Sequence, residues 1–587
     1  MKHRAFAVSL LAGSAVAASF VFAPRPPDQS DITDLFDPAA IARNMCGATE
    51  SLSTFGIPPA AAADIAPATK IWPGLGEHSF KITTTSQQAQ AFFDQGLRLV
   101  YGFNFGEALA SFRAAQALDP ACAMCFWGEA FALGPTLNAT MPEANNAPAL
   151  AAVQKAEALA HDKDHPTTPR ERGLIAALKE RYSADPHKTR EALNAAYADA
   201  MYRAYQLFDG DVDMATLHAD AALNESRVTG WWTPDGRLPT PRAASALVAL
   251  ERALKVDGAH AGAIHYYIHA MDSSPRPERA EPFANKLAGL MPGAGHIVHM
   301  PAHIYYRRGR YIDALNANID ALKVDDAYLG ADNSADNVYR YQLYAHNLHF
   351  GFASANMAGD EKNALALAGK LDALLARGVV QRPDYYAAAA YYPRVRFASS
   401  KEILALPAPA DTAIFPKGIW HYARASAFVA ASDLNAARAE LAALERLRKE
   451  TDLEKMLMSY SRTPQMLLLA EEVVRGRIAA QEKNWDEAFK HFAAAITVQG
   501  QVRGFDPPAW DFPVKQALGL ALLKAGRTED AMKVLREALM DAPNNATVLY
   551  ALAQASEVLK DSPAASQYRL LYKRAWAGRD APDLNRI

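Results

Sequence analysis

From residue 89 onward, small and large apolar residues recur at the spacing of paired helices. In the stretch AQAFFDQGLRLVYGFNFGEALASFRAAQALDP, counting Ala89 as position 1, Gly96 lies at position 8 and Ala108 at 20, with Phe112 at 24 and Pro120 at 32. The small residues let two helices approach, the large residue fills the seam, and the proline ends the second helix. The pattern predicts a helix–turn–helix unit of the 34-residue kind.

The same spacing returns several times along the chain. A unit that begins at Leu469 has Gly476 at position 8, and one that begins at Phe512 has Gly519 there. Weaker matches begin at residues 121, 261, 295, 345 and 417. These segments resemble tetratricopeptide (TPR) repeats, which stack because a single helix pair cannot bury its apolar face alone. The resemblance implies an all-α fold, a TPR-type α-solenoid that follows an irregular N-terminal lead-in.

Breaks in the pattern suggest how the array is divided. Residues 228–242 (VTGWWTPDGRLPTPR) and 380–416 are rich in aromatic residues and proline and interrupt the repeats. One short helix is expected around 38–45 within an otherwise extended start. The predicted regions are a Pro/Ala-rich extended segment (24–88), a TPR-like helical region with an insertion (89–240), a central histidine-rich TPR-like region (241–400) and C-terminal repeats (401–587).

The N-terminus predicts export. MKHRAFAVSLLAGSAVAASFVFA places two basic residues before an apolar run with small residues, which is typical of a secretory signal peptide over residues 1–23. An uncleaved anchor is the less favoured alternative, because the apolar run is short. No later stretch is long and apolar enough to span a membrane. We therefore expect a soluble periplasmic or secreted protein.

Composition and motifs exclude several classes of function. The formal net charge of −3 and the lack of a long basic tract argue against nucleic-acid binding. No phosphate loop for a nucleotide, nucleophile elbow or HExxH motif is present. Cys122 and Cys125 are followed by Phe126 instead of histidine, so they are not a haem attachment site. They could be oxidised, bind a metal or be inert thiols, and the oxidised and inert states are favoured.

Half of the sixteen histidines lie between residues 260 and 349. Most of them occur as HYYIH, HIVHMPAH and HNLH, spacings that put imidazoles on one side of a helix. In the repeat register they fall at positions 2, 5 and 9, which by the TPR resemblance line the concave groove. The candidate metal ligands are His265, His269, His296, His299, His303, His346 and His349.

This clustering predicts a transition-metal site. Imidazole is the commonest metal ligand, and few carboxylates accompany it here, so zinc or copper is expected before iron, and magnesium or calcium is not. His296 and His303 lie roughly 10 Å apart along a helix, so one ion cannot use all of HIVHMPAH. Either one ion uses His299 and His303 with one imidazole of HYYIH, or two ions share the whole set.

Three further residues are expected beside the histidines. Tyr306 and Arg307 occupy positions 12 and 13 of their repeat and are predicted to face a ligand in the groove. Asp272, in HAMDSSPRPERA, is predicted to accept a hydrogen bond from an imidazole N–H and so to orient a metal ligand.

Longer segments carry a closer resemblance. YGFNFGEALASFRAAQALDPACAMCFWGEA, AHAGAIHYYIHAMDSSPRPERA, GAGHIVHMPAHIYYRRGRYIDALNANIDALKVDDAY and YAHNLHF are together similar to a family of large exported bacterial TPR proteins, over roughly residues 85–375. The resemblance implies the fold and export more than an activity. A histidine would be expected at Phe105, so the resemblance also implies a reduced or altered site in this chain.

Two functions remain open at this point. In the first, the groove holds a transition metal that supports metal-dependent hydrolysis or oxidation–reduction. In the second, the chain is a non-enzymatic scaffold whose groove binds a peptide, an envelope protein or a small molecule. The clustering of histidines favours the first.

Overall fold

The structure is a computed structural model that describes most of the chain beyond residue 64. The described residues are 65–138, 140–163, 166–226, 231–233, 236–331, 342–380, 382–450, 462–502, 505–510 and 512–586. The predicted signal peptide and the short helix expected around residues 38–45 lie outside them.

Helices dominate the described residues, and no β-strand occurs among them. In chain order the helices are α1 (Gln87–Tyr101), α2 (Phe105–Leu118), α3 (Ala123–Leu133), α4 (Asn146–Ala160), α5 (Pro169–Lys179), α6 (Arg190–Leu207), α7 (Val212–Ser226), α8 (Pro241–Val256), α9 (Ala261–Asp272), α10 (Glu281–Leu290), α11 (Gly295–His299), α12 (Pro301–Arg307), α13 (Tyr311–Ala331), α14 (Tyr344–Ala358), α15 (Glu361–Leu375), α16 (Pro383–Ala389), α17 (Tyr391–Phe397), α18 (Ser400–Leu404), α19 (Ile414–Ala430), α20 (Leu434–Glu450), α21 (Thr463–Gln481), α22 (Trp485–Gln501), α23 (Val514–Lys524), α24 (Thr528–Asp541), α25 (Ala546–Val558) and α26 (Ser562–Ala575).

Consecutive helices pack against each other in pairs, such as α1 with α2, α21 with α22 and α23 with α24. The seams follow the predicted register. A Cβ added at Gly96 would lie 2.6 Å from the ring of Phe112, and one at Gly476 would lie 2.7 Å from the ring of Phe492. The small residue at position 8 is therefore what lets the two helices of a pair meet. The prediction of an all-α, TPR-type α-solenoid is confirmed.

The described part of the lead-in is irregular up to the start of α1, as expected, and side chains of α1 hold it in place. Asp94 accepts hydrogen bonds from Ser79 Oγ (2.7 Å) and the Phe80 amide (3.0 Å). Gln95 Oε1 accepts one from the Trp72 amide at 2.6 Å. The lead-in thereby lies against the first helix pair.

One predicted helix is divided in two. We expected HIVHMPAH to be continuous, but α11 ends at His299 and α12 begins at Pro301. Proline has no N–H with which to continue the ladder of hydrogen bonds, so it fits the first turn of a new helix and interrupts an existing one.

Two irregular segments cover the centre of the array. In the Trp/Pro/Gly loop, the indole N–H groups of Trp231 and Trp232 donate to the carbonyls of Leu223 (3.0 Å) and Ala270 (2.5 Å), on α7 and α9. Residues 505–510, between α22 and α23, bring Asp506 against the histidines. No helix of the described residues is long and apolar enough to cross a bilayer.

Candidate metal centre

Six imidazoles from four helices meet beneath these covering segments. They are His265 and His269 on α9, His296 and His299 on α11, His303 on α12 and His346 on α14. His346 is half-buried, and the other five are no more than 6% exposed. The repeat register predicts that these histidines line a concave groove; in the structure they are shielded from solvent, with the ring of Trp231 5.8 Å from that of His269 and Asp506 in contact with His303.

The first imidazole group consists of His265, His269 and His296. The Nε2 atoms of His265 and His269 lie 3.0 Å apart, and the ring of His296 is centred 4.9 Å from that of His265. One nitrogen from each of the three side chains lies within 4.8 Å of the other two.

The second imidazole group consists of His299, His303 and His346. His299 Nε2 lies 2.9 Å from His303 Nε2 and 3.1 Å from His346 Nε2. The two groups adjoin, since the rings of His296 and His299 are 5.8 Å apart and those of His269 and His303 are 6.0 Å apart. The histidines thus form two sets of three, a division that the repeat register did not predict.

Acceptors on the outer side of the rings determine which ring nitrogen carries the proton. His265 Nδ1 donates to the carbonyl of Tyr101 at 2.6 Å. His299 Nδ1 donates to Asn318 Oδ1 at 2.8 Å, and the Asn318 amide is oriented by its own bond to the Ala314 carbonyl. When Nδ1 donates in a neutral imidazole, the lone pair is on Nε2. In both groups a lone pair therefore points at the neighbouring imidazole nitrogens.

Burial keeps most of these imidazoles neutral. It lowers the pKa of His265 and of His346 to about 3. The pKa values of His269, His296 and His299 are also well below the ordinary value, through burial and through the charge of neighbouring histidines. A neutral imidazole is the form that can bind a metal.

His303 is the exception. Burial would lower its pKa, but its Nδ1 contacts Asp506 Oδ2 and lies 3.4 Å from Asp272 Oδ2, and these carboxyls raise the pKa to about 9. Asp506 has a pKa below its usual range in spite of burial, because of His303 and Arg307. Burial and the charge of Asp506 raise the pKa of Asp272. At His303 a proton and a cation would compete for Nε2.

Aromatic rings enclose the imidazoles. Phe103 stacks on His269 and His296 with ring centres 5.4 and 5.3 Å away, and Phe350 lies 4.9 Å from His303. Phe105, where the family resemblance led us to expect a histidine, stacks on the Phe103 ring at 5.6 Å. It therefore lies behind the apolar wall of the first group.

The other predicted site residues are distributed unevenly. His349 lies in neither group, because its ring packs against Phe352 (5.0 Å) and Tyr385 (5.4 Å). Tyr306 is buried, with its ring 5.0 Å from that of Tyr311. Arg307 lies in the electrostatic field of Asp506 and Asp272, which raise its pKa against the effect of burial.

Three partners of the imidazoles were not predicted: Tyr101, Asn318 and Asp506. Asp506 is 203 residues away from His303 along the chain. Tyr101 contributes a backbone carbonyl, which every residue has. Neither Asp506 nor Tyr101 therefore offers a local signal that sequence reasoning could have used.

A further His/Asp cluster lies beside the first group but is unsuited to a metal. His260 Nδ1 accepts from the Ala263 amide at 3.0 Å, so its Nε2 carries the proton and donates to Asp213 Oδ1 at 3.1 Å. Tyr101 Oη and Arg170 also donate to the Asp213 carboxylate. The Asp213 carboxylate thus already accepts hydrogen bonds from three side chains, one of which is the permanently charged Arg170. These contacts connect several helices.

The cysteine pair is oxidised. Cys122 and Cys125 form a disulfide at the start of α3 and are buried. The sequence left three states open for these cysteines: oxidised, metal-bound or inert thiols. The disulfide is one of the two states that the sequence favoured.

Comparison with known proteins supports the repeat assignment. Residues 512–555 match the family described as tetratricopeptide repeat. No curated protein sequence matches the chain. Similar solved structures include the human IFIT1 dimer with m7Gppp-AAAA, with 12% identity, a TM-score of 0.31 and coverage of 92% of this chain and 94% of that one.

Two further structures are similar at the same low level of identity. The TPR domain of P58(IPK) has 12% identity, a TM-score of 0.20 and coverage of 85% of this chain and 95% of that one. The Cut9–Hcn1 hetero-tetramer of APC/C has 14% identity, a TM-score of 0.24 and coverage of 83% and 87%. Residues 512–555 therefore form a tetratricopeptide-repeat segment, within a chain whose described helices pack in pairs as a TPR-type α-solenoid.

Proposed function

We propose that this chain is a TPR-type scaffold that binds one transition-metal ion in each imidazole group, as a zinc or copper protein. One observation carries the proposal. The Nε2 atoms converge to 2.9–3.1 Å, while Nδ1 of His265, His299 and His303 is engaged by acceptors on the other side. Lone pairs that face each other at this distance repel unless a proton or a cation lies between them.

The spacing suits a metal after small adjustments. Three nitrogens at about 2.0–2.1 Å from a tetrahedral zinc ion lie roughly 3.3 Å from one another. The imidazoles are oriented by Tyr101, Asn318 and Asp506, and such outer partners support many protein metal sites. Rotation of the rings by small angles would open each group to that spacing.

The ligand set favours zinc or copper, ranks iron third and disfavours magnesium and calcium, because each group offers only imidazole nitrogens. Three protein ligands leave a position for water or a substrate, as in catalytic zinc sites. A zinc ion there would activate water, and a copper ion would support electron transfer, so hydrolysis and oxidation–reduction are the two activities to assay.

The scaffold alternative has less support at this position. TPR-type arrays bind proteins and peptides on extended surfaces, and the fold as a whole suits such partners. The imidazoles themselves are buried and present no surface to a peptide. A peptide or envelope-protein partner would have to bind elsewhere on the array.

Metal analysis of the untagged protein, purified without chelators, tests the proposal. We expect about two ions per chain, with one lost in His265→Ala/His269→Ala and the other in His299→Ala/His303→Ala. His421→Ala/His491→Ala is the matched control, since these histidines pair with Glu440 and Glu472 outside both groups. A wild-type protein that takes up neither zinc nor copper when supplied with both would refute it.

We also propose that the protein works outside the cytoplasm. The signal-peptide pattern of residues 1–23 supports this, as does the Cys122–Cys125 disulfide, because disulfides persist mainly in oxidising compartments. Deleting residues 1–23 should leave the chain in the cytoplasmic fraction. An unchanged distribution between fractions would contradict export.

A further inference from the structure

Residues 582–586, called the tail below, lie across several helices of the C-terminal repeats. Arg586 borders a hollow together with side chains of α17, α19, α21 and α23, and the last three of these are the first helices of consecutive pairs. In the repeat register Arg477 is at position 9 and Gln516 at position 5, positions that carry histidines in the central repeats. The tail therefore crosses the equivalent face of the C-terminal repeats.

Hydrogen bonds between the array and the tail involve neutral oxygens. Arg477 Nη2 donates to the carbonyl of Arg586 at 3.3 Å, and Lys524 Nζ donates to Asn585 Oδ1 at 2.9 Å. In the opposite direction, Arg586 Nη1 donates to the carbonyl of Ala398, directly after α17, at 2.5 Å. These three bonds require carbonyl and amide oxygens, which another chain could supply or accept equally well.

Side chains of the tail alternate between the array and solvent. Pro582 is buried, and Leu584 is half-buried against the apolar core of α23 to α25. Arg586 is also half-buried, whereas Asp583 and Asn585 are exposed. Asp583 shapes the turn, since its Oδ1 accepts from the Asn585 amide at 3.0 Å and its carbonyl from the Arg586 amide at 3.2 Å. Leu584 and Arg586 are thus the side chains through which a segment of this kind is recognised.

The residues before the tail are fixed to another part of the array. The Ala577 amide donates to the carbonyl of Ala358, at the end of α14, at 2.8 Å. The Trp576 ring packs on Gly359, and its indole N–H donates to the carbonyl of Asp580 at 2.8 Å. This anchor keeps the tail close to its site at a high effective concentration. The tail can leave the site while α26 and the anchor stay in place.

We propose that the face beneath the tail is a docking site for an extended segment of a partner protein, and that the tail occupies it until the partner binds. The partner segment carries a branched apolar residue followed two positions later by arginine, as Leu584 and Arg586 do in the tail. Its backbone carbonyls accept from Arg477 and Lys524. Backbone contacts of this kind give affinity, while side-chain contacts give specificity. The site lies outside both imidazole groups and does not depend on metal binding.

Fluorescence anisotropy of a labelled peptide with the sequence of residues 581–586, amidated at its C-terminus, tests the proposal on the full-length chain. In the wild type the tail competes with the peptide. Leu584→Asp/Arg586→Glu should release the tail and raise the affinity for the peptide by about tenfold or more. Arg579→Glu is the matched control, because this exposed arginine contacts only its neighbour Asp580 among the ion pairs of the described residues. Its affinity should equal that of the wild type.

A groove substitution locates the bound peptide. Lys524→Glu, added to the released variant, reverses the charge that holds the tail and should weaken peptide binding by about tenfold or more. In the wild type, excess peptide should increase hydrogen–deuterium exchange in the C-terminal fragment, a readout that needs no substitution. Equal peptide affinity in the wild type and the released variant, or undiminished binding after Lys524→Glu, would overturn the docking site. Unchanged exchange in the wild type would show that the peptide does not displace the tail.

Discussion

At the scale of single residues, the outer nitrogen of each imidazole controls what the inner nitrogen can do. The carbonyl of Tyr101 and the amide oxygen of Asn318 can only accept, so His265 and His299 must donate to them from Nδ1. This leaves Nε2 basic in a place that water does not reach. His303 differs because its outer partner, Asp506, is charged and favours a second proton on the ring.

Asp506→Asn tests the orienting role of this carboxylate. The substitution keeps the shape but removes the charge that orients His303, so the second imidazole group should bind its metal about 10–100-fold more weakly. The first group should be unaffected. Competition with a chromogenic chelator measures both affinities. Asp486→Asn, an exposed carboxyl in the first turn of α22, is the control, and equal affinities in the two variants would contradict the role of Asp506.

His218 should make folding sensitive to acid. Burial lowers its pKa to about 4, whereas in the unfolded chain the value is about 6.5. As the pH falls from 6.5 to 4, the unfolded chain takes up a proton that the folded chain resists, so stability is lost. Between pH 7 and 4.5 the loss in the free energy of unfolding attributable to His218 should be roughly 2–3 kcal/mol.

Urea denaturation of His218→Gln at the two pH values measures this contribution. The substitution should reduce the acid sensitivity of the wild type by that amount. In both proteins the five imidazoles with a lowered pKa in the two groups add losses of the same sign, and His303, whose pKa is raised, adds an opposing gain. His161→Gln, at an exposed histidine far from the imidazole groups in sequence, is the matched control. The same pH dependence in His218→Gln and the wild type would show that the pKa of His218 is not lowered on folding.

At the scale of helices, the close approach within a pair depends on the absence of a side chain. Gly96 lies under Phe112, and Gly519 lies under Leu535, whose side chain would be 2.6 Å from an added Cβ. Pro301 acts on the hydrogen bonds of the backbone, since α11 ends before it and α12 begins with it.

Gly96→Ala should destabilise the first helix pair. The added methyl group would force α1 and α2 apart or displace the Phe112 ring, at a cost of about 1–3 kcal/mol. Gly369→Ala is the matched control, because a Cβ at this exposed position of α15 meets no atom within 4 Å. It should be neutral or stabilise the protein by up to about 1 kcal/mol. If Gly96→Ala and Gly369→Ala unfolded at the same denaturant concentration, the proposed contact between Gly96 and Phe112 would be contradicted.

At the scale of the whole molecule, the imidazole groups connect parts of the array that are distant in sequence. Their ligands come from α9, α11, α12 and α14, and Asp506 brings in the segment after α22. A solenoid normally makes contacts only between neighbouring repeats. A bound metal would therefore stabilise an arrangement that extends well beyond one repeat.

Metal loading should raise the stability of the folded chain. With free zinc at 100 times its dissociation constant, the expected gain is about 2.7 kcal/mol per site if the unfolded chain does not bind it. Chelator should reverse the gain, as measured by the midpoint of denaturant unfolding. His299→Ala/His303→Ala should retain only the response of the first group. Identical unfolding of the wild type with and without metal would contradict metal binding.

Much of this architecture could be predicted before any coordinates, because helix periodicity and helix–helix seams are encoded in short stretches. Gly96 and Phe112 indicated a close-packed pair through their spacing alone, and the clustering of histidines between residues 260 and 349 marked the centre of the candidate site. The cysteine pair could not be assigned in this way, since its oxidation depends on the distance between Cys122 and Cys125 in the fold.

The grouping of the imidazoles required the packing of the helices. A repeat register says which side of a helix a histidine occupies, but not what covers that side, so spacing alone could not show that the imidazoles are buried or that His349 lies outside both groups. The division into two groups separates His296 from His299, although both lie on α11, because each contacts imidazoles from different neighbouring helices. The orientation of His303 depends on Asp506, which reaches it from 203 residues away. Such contacts arise from the path of the chain through space, and no local pattern of residues specifies them.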